Sequence, residues 1–330
     1  MSEKIDFIVA WVDDQDSLWK KQRNKYAWDN LEDLAEYRFR NWNNLKYFFR
    51  WIEKFTPWVN NVFFVTCGHY PDWLNLDCPK LRFIKHEDYI PKKYLPTFNS
   101  HTIELNFNRI KELSERFVYF NDDMFIIDYM EKSDFFEWWL PKQIAWLSAI
   151  ATNNEIFDHV LLNDIQLINR HFSQSEVLKN NKMKWYYYWY GLKGLLKTLF
   201  LKNYPNFVWF TNPHLPNSLL KSTMDKLRIE EYDILDKSSE SKFRTVRNVN
   251  QYVFSRYDIA SGNFVPRNRS IGRCFTVDDN NERLIASIIN QRYKMICLND
   301  TKNTFDFETV KSKIIAAFEK ILPVKSEFEK

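Results

Sequence analysis

Short apolar segments alternate with helical patterns over the first 120 residues, and this alternation limits the possible folds more than any other feature of the chain. The runs 5–12 (IDFIVAWV) and 117–120 (FVYF) are typical of buried strands, and both lead directly into acidic residues. Two more strand candidates, 62–66 and 81–85, lie between them, and 43–55 carries apolar side chains at helical spacing. Strands that alternate with helices predict an α/β fold with a largely parallel sheet.

Three further segments add local predictions. Ser100 suits the N-cap of a helix with one apolar face, formed by Ile103, Phe107, Ile110 and Leu113. Residues 236–242 (DKSSESK) are polar throughout and predict a loop. Residues 305–321 repeat apolar side chains at helical spacing, which predicts a final amphipathic helix.

Glycine is scarce, and its positions exclude two common nucleotide-binding loops. With only five glycines among 330 residues, neither G-x-G-x-x-G nor G-x-x-x-x-G-K-[ST] can be written from this sequence. Both loops need glycine because backbone N–H groups must approach phosphate closely. If the chain binds a nucleotide, metal ions and side chains therefore have to hold the phosphates.

The charge balance and the cysteines also exclude several classes of protein. Net charge is +4, from 47 basic and 43 acidic residues, so the composition does not favour nucleic acid as a partner. The first residues lack the layout of a signal peptide, and no apolar run is long enough to span a membrane. The four cysteines form no C-x-x-C pair, and the spacing of Cys67, His69, Cys78 and His86 fits no standard zinc site. We therefore expect a cytoplasmic protein with reduced cysteines.

Residues 135–205 differ in character from the rest of the chain. Between Lys179 and Lys202 there are six lysines, no acids and an aromatic run at 185–190 (WYYYWY). Leucines then recur at helical spacing over 192–199. A basic amphipathic helix with neighbouring aromatics predicts contact with a membrane surface. The alternative is an ordinary helical insertion that packs on the core.

Carboxylates follow two of the predicted strands at the point where each strand ends. Asp122 and Asp123 come directly after the FVYF strand, and Asp13, Asp14 and Asp16 follow the first strand. Ligands of parallel sheets gather beyond the carboxyl ends of the strands, and Mg²⁺ prefers a few carboxylates together with phosphate oxygens of a substrate. These acids predict a site for Mg²⁺ or Mn²⁺, although a solvated strand end gives the same local pattern.

Two histidines and two arginines have the chemistry of catalytic residues. His101 lies near a helix start, where the helix dipole favours a neutral imidazole, and His214 lies in a segment stiffened by prolines on both sides (NPHLP). Either histidine suits a general base, although single histidines are more often structural. Arg244 and Arg247 suit a phosphate clamp because guanidinium matches phosphate oxygens in pairs; the alternative is a solvated turn.

Four blocks, in the family's own order, resemble the Stealth family of sugar-phosphate transferases. This family includes bacterial capsular polysaccharide phosphotransferases and the catalytic subunit of the lysosomal-enzyme N-acetylglucosamine-1-phosphotransferase. The blocks are IDFIVAWVD from Ile5; a long second block that begins at Arg38 and includes LPTFNSHTIE from Leu95 and FVYFNDDMF from Phe117; NPH from Asn212 with SKFRTVRNVNQYVF from Ser241; and CLND from Cys297. Together they cover most of the chain outside 135–205.

The resemblance implies a Rossmann-like or GT-A-like three-layer core with a mainly parallel sheet. We assign 1–134 and 206–303 to this catalytic α/β core, 135–205 to a helical, aromatic-rich basic insertion, and 304–330 to a C-terminal helix and tail. The implied reaction transfers a sugar-1-phosphate from a nucleotide sugar, typically a UDP-hexose or UDP-N-acetylhexosamine, to a hydroxyl of an acceptor oligosaccharide, and UMP leaves. Capsule precursors are built on lipid carriers at the inner face of the membrane, which agrees with a peripheral contact there.

The resemblance also implies roles for individual residues. The expected general base is His214, with His101 in reserve; Asp300 would orient the base or supply a second acid near the phosphate, and Arg244 would clamp that phosphate. Residues expected at the nucleotide sugar are Asp13, Arg38 and Asn99, and those expected at the metal or diphosphate are Asp122 and Asp123. The chain departs from the family at Asp14, where Gly is common, and at 44–46 (NLK), where an acid-Leu-Arg step is usual. These departures leave open the shape of the first turn and the role of that acid.

Two other functions stay open at this point. A conventional metal-dependent glycosyltransferase would bind the same diphosphate, but it would direct attack to the anomeric carbon and release UDP. A non-catalytic glycan-binding protein would use the many aromatic residues as stacking platforms. Product analysis separates the first alternative from phosphate transfer, because only sugar-phosphate transfer releases UMP.

Overall fold

The computed structural model describes residues 4–27, 40–152, 155–300 and 305–330. The strands are β1 (Ile5–Ala10), β2 (Val62–Thr66), β3 (Leu81–Lys85), β4 (Arg116–Asn121), β5 (Met124–Ile126), β6 (Phe136–Glu137), β7 (Leu140–Gln143), β8 (Asn217–Leu220), β9 (Val265–Pro266), β10 (Gly272–Thr276) and β11 (Met295–Asn299). The helices are α1 (Ser17–Tyr26), α2 (Leu45–Phe55), α3 (His86–Tyr89), α4 (Ser100–Leu105), α5 (Ile156–His171), α6 (Gln174–Asn180), α7 (Lys182–Trp185), α8 (Gly191–Leu201), α9 (Lys221–Glu230), α10 (Tyr232–Glu240), α11 (Tyr252–Ser261), α12 (Glu282–Ile289) and α13 (Phe307–Ile321).

The main sheet has five strands in the order β3-β2-β1-β4-β8. The first four run parallel, with Phe7 opposite Val62, whereas β8 runs antiparallel to β4, with Asn217 opposite Tyr119. The prediction of an α/β fold with a largely parallel sheet is confirmed. β2 and β3 have their predicted bounds, and β1 ends at Ala10, two residues before the predicted end. Because β8 runs the opposite way, its first residue lies at the same edge as the carboxyl end of β4.

Both faces of the main sheet are covered, because successive side chains of each strand point to two different hydrophobic clusters. Phe7 belongs to the cluster that includes α2, α12 and α13, and Ile8 belongs to the cluster that includes α4, α5, α9 and α11. The ring of Phe7 lies 5.9 Å from that of Trp51 in α2 and 4.9 Å from that of Phe120 in β4. Burial of each aromatic side chain of this kind stabilises the folded chain by about 1.5–3 kcal/mol, so α2 is held firmly on the sheet. The helix predicted over 43–55 is thereby confirmed as α2.

A second, smaller sheet continues from the main one. β4 turns through Asp122 and Asp123 into β5, which pairs antiparallel with β11, and β11 pairs parallel with β10. Met124 lies opposite Cys297, and Cys297 lies opposite Cys274 on the next strand. The backbone N–H of Leu298 also donates to the carbonyl of Asp123 at 2.9 Å. The segment around Cys297 is thereby held against the turn that carries the two aspartates.

The helix predicted from Ser100 to Leu113 is wrong in its cap and in its length. Asn99 is the N-cap, since its Oδ1 accepts the backbone N–H of His101, and α4 already ends at Leu105. The side chain of Asn106 donates to the carbonyl of Thr102 at 2.8 Å and so competes with the helical backbone pattern. The chain then continues as a short 3₁₀ turn over Phe107–Arg109.

The loop predicted over 236–242 is also wrong, because α10 continues to Glu240. Ser238 and Ser239 are buried, and their hydroxyls have protein partners: Ser238 Oγ accepts the N–H of Val249 at 3.1 Å, and Asn106 donates to Ser239 Oγ at 3.3 Å. Polar side chains with such partners are stable inside a protein, so a polar sequence does not require an exposed loop. The final helix is confirmed as α13.

In the described part of 135–205 there are two short strands, four α-helices and a 3₁₀ turn over Tyr188–Tyr190. β7 pairs with β6 and with β9, and α8 packs on the residues that follow β7: Thr198 Oγ1 accepts the N–H of Leu147, and Gly194 faces Trp146. The predicted helix over 192–199 is confirmed as α8, whereas the division of the chain into core and insertion stays a prediction. Within the described ranges, none of the helices combines the length and apolarity that crossing a bilayer requires.

Candidate functional site

Polar side chains from four parts of the chain meet at the carboxyl edge of β1, β2 and β4. Asp13 follows β1, His69 follows β2, and Asp122 with Asp123 form the turn after β4. His214 arrives from the opposite direction, since it lies just before β8, whose first residue pairs next to the end of β4. The antiparallel pairing of β8 is therefore what brings a histidine to the aspartates.

The His214 ring lies between an acid and a phenol. Its Nε2 is 3.6 Å from Asp123 Oδ2, and its Nδ1 is 3.4 Å from the hydroxyl of Tyr252, the first residue of α11. The backbone of His214 is in the left-handed region, with φ of 48°. Residues other than glycine rarely adopt that conformation, and where they do the strain often marks a functional position. Arg256 stabilises the approach to this turn, because its buried guanidinium donates to the carbonyl of Thr211 at 2.9 Å.

Charge at this position favours the imidazolium. Burial alone would lower the pKa of His214, but the electrostatic effect of Tyr252 and the carboxylate of Asp123 outweigh it and raise the pKa well above its usual value. A proton that reaches this ring is therefore held strongly. The arrangement resembles the histidine–carboxylate pairs of hydrolases, in which the acid stabilises the imidazolium that forms during catalysis.

The two aspartates differ in their surroundings. Asp123 Oδ2 contacts His214 and the thiol of Cys297 (3.4 Å), whereas Asp123 Oδ1 is buried without a hydrogen-bond partner. Asp122 keeps an exposed surface, yet desolvation by the surrounding protein and the neighbouring Asp123 charge raise its pKa to about 7. A bound divalent cation would reduce the repulsion between these two neighbouring carboxylates and would give the buried Asp123 Oδ1 a partner.

A buried acid that the sequence analysis did not single out lies behind this site. Glu104 of α4 accepts the hydroxyl of Tyr119 at 3.2 Å, and burial raises the pKa of Glu104 to about 7 although Arg244 acts in the opposite direction. Arg244 donates to Ser100 Oγ at 2.8 Å, in the first turn of the same helix. The sequence gives one indication of this acid: Glu104 follows Ser100 by four residues and is the only acidic residue in the segment 100–105.

His101 and Asn99, which were expected at the substrate, are both buried inside the fold. Asn99 is buried, and its amide donates to the carbonyls of Ser241 and Phe243 and to Asn248 Oδ1. His101 is buried beside it in the first turn of α4. The bonds of Asn99 tie α4 to the loop that carries Arg244, so Asn99 helps to position that arginine.

A second histidine at the edge, His69, was not among the predicted site residues. Its Nε2 accepts the backbone N–H of Asp13 at 2.8 Å, and its Nδ1 donates to Asp16 Oδ2 at 3.1 Å. Asp16 also caps α1, and the backbone N–H of Trp19 is the main reason that the pKa of Asp16 is lowered. The pair holds the turn after β1 and thereby the position of Asp13. The sequence offered one indication of it, the short spacing between Cys67 and His69.

Asp300 lies further along the edge, after β11. Its two carboxylate oxygens accept from Arg40 Nη1 at 3.2 Å and from Trp42 Nε1 at 3.3 Å. The carboxylate that stands beside the His214 ring is that of Asp123. Arg38 lies outside the described residues.

Comparison with known proteins gives one family and several full-length relatives. The model of the conserved region 2 of Stealth proteins (Stealth protein CR2) matches residues 38–143. The chain is 40% identical to the capsular polysaccharide phosphotransferase WcwK of Streptococcus pneumoniae, over 99% of this chain and 98% of that protein. It is 37% identical to the receptor polysaccharide phosphotransferase WefC of Streptococcus gordonii, over the whole of both chains, and 35% identical to an exopolysaccharide phosphotransferase of Lactiplantibacillus plantarum, over 99% and 96%.

Proposed function

The chain belongs to the Stealth family of polysaccharide phosphotransferases, and on that premise we propose how its residues carry out the transfer. It is an enzyme of capsular or exopolysaccharide synthesis that transfers a sugar phosphate and forms a phosphodiester. We infer that the donor is a nucleotide sugar, a UDP-hexose or UDP-N-acetylhexosamine, and that the acceptor is a hydroxyl of an oligosaccharide. The parallel core would hold the donor at its carboxyl edge in the manner of a GT-A-like enzyme.

The observation that carries this proposal is the contact of His214 with Asp123 at the edge of the sheet where Asp122 also lies. The acceptor hydroxyl gives its proton to His214, and the oxygen attacks the phosphorus that bears the sugar. The bond from that phosphorus to the bridging oxygen breaks, and UMP leaves with the electron pair. The ring must be neutral to accept this proton; Nε2–H then faces the Asp123 carboxylate, and Nδ1, on the side of the Tyr252 hydroxyl, carries the lone pair. Because the pKa of His214 is raised, we expect the rate of transfer to increase with pH. The Asp123 charge then stabilises the imidazolium.

Charge on the phosphoryl oxygens needs stabilisation from cations. Arg244 suits this role, because its position is fixed by Ser100 and by the nearby Glu104, and a guanidinium binds two phosphate oxygens at once. Asp122 and Asp123 would hold Mg²⁺ or Mn²⁺, since Asp123 Oδ1 is a buried acceptor without a donor. When bound, such an ion would neutralise the diphosphate as a Lewis acid. Asp13 and Asp300 are assigned to the nucleotide sugar and to the edge of the phosphate site.

The test is a screen of nucleotide sugars with an acceptor oligosaccharide, with the nucleotide product identified by chromatography. We expect UMP release that depends on acceptor, and a loss of about 10²- to 10⁴-fold in His214→Gln, the usual contribution of a general base. His159→Gln is the matched control, because that histidine is exposed on α5. Release of UDP together with a new glycosidic bond would instead establish the conventional glycosyltransferase, and near-normal turnover in His214→Gln would refute the base assignment.

We also propose that α8 rests on an anionic membrane surface, which would bring a lipid-linked acceptor to the site from the cytoplasmic face. The side of α8 that faces away from the protein is apolar: Leu192 and Phe200 are 72% and 75% exposed, and Leu196 and Leu199 lie between them. Exposed Tyr188 and Trp189 precede the helix. The absence of acids from 177 to 224, with lysines interspersed, gives the charge that attracts anionic lipid.

Vesicles with and without anionic lipid test this contact by co-sedimentation. Replacing Lys193, Lys197 and Lys202 together by Glu should abolish binding to anionic vesicles, because lysine near such a surface contributes roughly 1 kcal/mol each. Replacing the exposed Lys111, Lys313 and Lys325 by Glu changes net charge equally and should leave more binding intact. Equal loss in the two triple variants would show that only net charge matters, and unchanged binding in the first would exclude the helix as the contact.

A further inference from the structure

A cluster of soft metal ligands surrounds Asp123. Ligand atoms of Asp123, His214 and Cys297 all lie within 4.8 Å of one another. Each comes from a different element, respectively the β4–β5 turn, the segment before β8, and β11. Their meeting is a product of the fold, because they are separated by about ninety and eighty residues along the chain.

A fourth ligand lies next to this trio. Cys274 is directly opposite Cys297 in the parallel pair β10–β11, so the two side chains point to the same side of the small sheet. Cys274 is a free, half-buried thiol. The trio offers one nitrogen, one sulfur and one carboxylate oxygen, and Cys274 would add a second sulfur by a movement of its side chain.

The measured separations agree with the edges of a tetrahedral zinc site. Zinc lies about 2.1 Å from nitrogen or oxygen and about 2.3 Å from sulfur, so tetrahedral geometry puts nitrogen about 3.4 Å and sulfur about 3.6 Å from a shared oxygen. In this structure Asp123 Oδ2 is 3.6 Å from His214 Nε2 and 3.4 Å from Cys297 Sγ. Both distances are within 0.2 Å of the required edges, so Asp123 already lies at the separation from each of the other two ligands that a shared ion needs.

The chemistry of the donors separates this site from the proposed magnesium site. Mg²⁺ binds oxygen and is held poorly by thiols, whereas zinc-class ions prefer sulfur and imidazole nitrogen. The two sites share only Asp123. An ion at this site would bind the Asp123 oxygen and the His214 imidazole together, so it would remove the base and one metal ligand of the transfer reaction in a single step.

We propose that Asp123, His214 and Cys297, with Cys274 as the fourth ligand, bind a zinc-class divalent ion, and that its binding inhibits sugar-phosphate transfer. Each coordinating thiol releases its proton to solvent as the ion binds, so affinity rises with pH. The inhibition rests on the proposed role of His214, whereas the binding of the ion does not depend on that role. The two parts can therefore be tested separately.

Cobalt is the probe for binding, because Co²⁺ replaces zinc and reports its ligands by absorption. Metal-free full-length chain should bind one Co²⁺ with an intense near-ultraviolet band from thiolate-to-cobalt charge transfer, and Zn²⁺ should abolish the band by displacement. Cys297→Ser and Cys274→Ser should each weaken the band and lower affinity by about 10- to 100-fold or more, since even supporting residues of metal sites have effects of that size. Cys67→Ser is the matched control, since that thiol also lies 3.4 Å from a histidine nitrogen, of His69.

Inhibition is measured as UMP release at saturating Mg²⁺ with increasing Zn²⁺, each variant relative to its own rate without zinc. We expect stoichiometric inhibition in the wild type and in Cys67→Ser, and at least tenfold more zinc for the same inhibition in Cys274→Ser. No charge-transfer band in the wild type, or its loss in Cys67→Ser alone, would overturn the site. Binding without inhibition would overturn the inhibitory role. If Cys297→Ser does not fold, Cys274→Ser still tests the site, because Cys274 is only half-buried. If the chain has no transferase activity, the cobalt measurement still tests metal binding.

Discussion

The pH dependence of stability gives a direct test of the buried acid behind the site. The pKa of Glu104 is raised from 4.5 to about 7 by burial, so the folded chain holds a proton that the unfolded chain releases between these pH values. The sign follows from linkage: the protonated acid is favoured by folding, so its stabilising contribution is complete below pH 4.5 and is lost as pH rises towards 7. A pKa difference of one between the folded and unfolded chain corresponds to about 1.4 kcal/mol, so the contribution totals about 3 kcal/mol, of which about 2.5 falls between pH 5 and pH 8.

Glu104→Gln removes this titration and keeps an oxygen that accepts the Tyr119 hydroxyl. The free energy of unfolding in urea, measured from pH 5 to pH 8, should fall by about 2.5 kcal/mol more in the wild type than in Glu104→Gln. Other titrating groups cancel in this difference. Glu112→Gln is the matched control, since the Glu112 side chain is 70% exposed and its variant should follow the wild type. Parallel curves for wild type and Glu104→Gln would refute the assignment of a protonated buried acid.

Three further outcomes follow from contacts elsewhere in the structure. Glu329→Ala should lower the free energy of unfolding by about 3 kcal/mol, because it leaves the buried Arg50 guanidinium without its 2.8 Å partner; thermal and urea unfolding measure this, and a change under about 1 kcal/mol would contradict it. Gly262→Ala should lower the melting temperature more than Gly68→Ala, because both positions have positive φ but only the first would crowd a neighbouring side chain, at 2.5 Å. Chelation should abolish UMP release and Mg²⁺ should restore it, with about tenfold more Mg²⁺ needed in Asp122→Asn; activity that survives chelation would exclude the metal.

The sequence predicted best those elements whose pattern is local. The strands 62–66 and 81–85 and the helices now seen as α2 and α13 were predicted because each carries its own periodicity and its own burial. α4 and α10 were predicted badly because their bounds depend on each other: Asn106 ends one helix by bonding within it and to Ser239 of the other. No pattern within either segment reports such a contact.

The candidate site shows the same division. Asp122 and Asp123 were singled out because a strand leads into them, and His214 because prolines surround it. That His214 stands beside Asp123 depends on β8, a strand of four residues whose antiparallel pairing joins segments about a hundred residues apart. Glu104 was missed because the sequence gives its charge but not its burial, and burial is what changes its chemistry.

The late position of β8 in the chain has a consequence for how the protein is made. During synthesis β1 to β4 can leave the ribosome and associate well before residue 217, but β4 then has an unpaired edge until β8 arrives. An exposed edge strand is open to pairing with other chains, so this interval is a period of risk for aggregation. The same strand that completes the sheet follows directly on His214, so the nascent chain pairs its open edge and brings this histidine to Asp123 at nearly the same time.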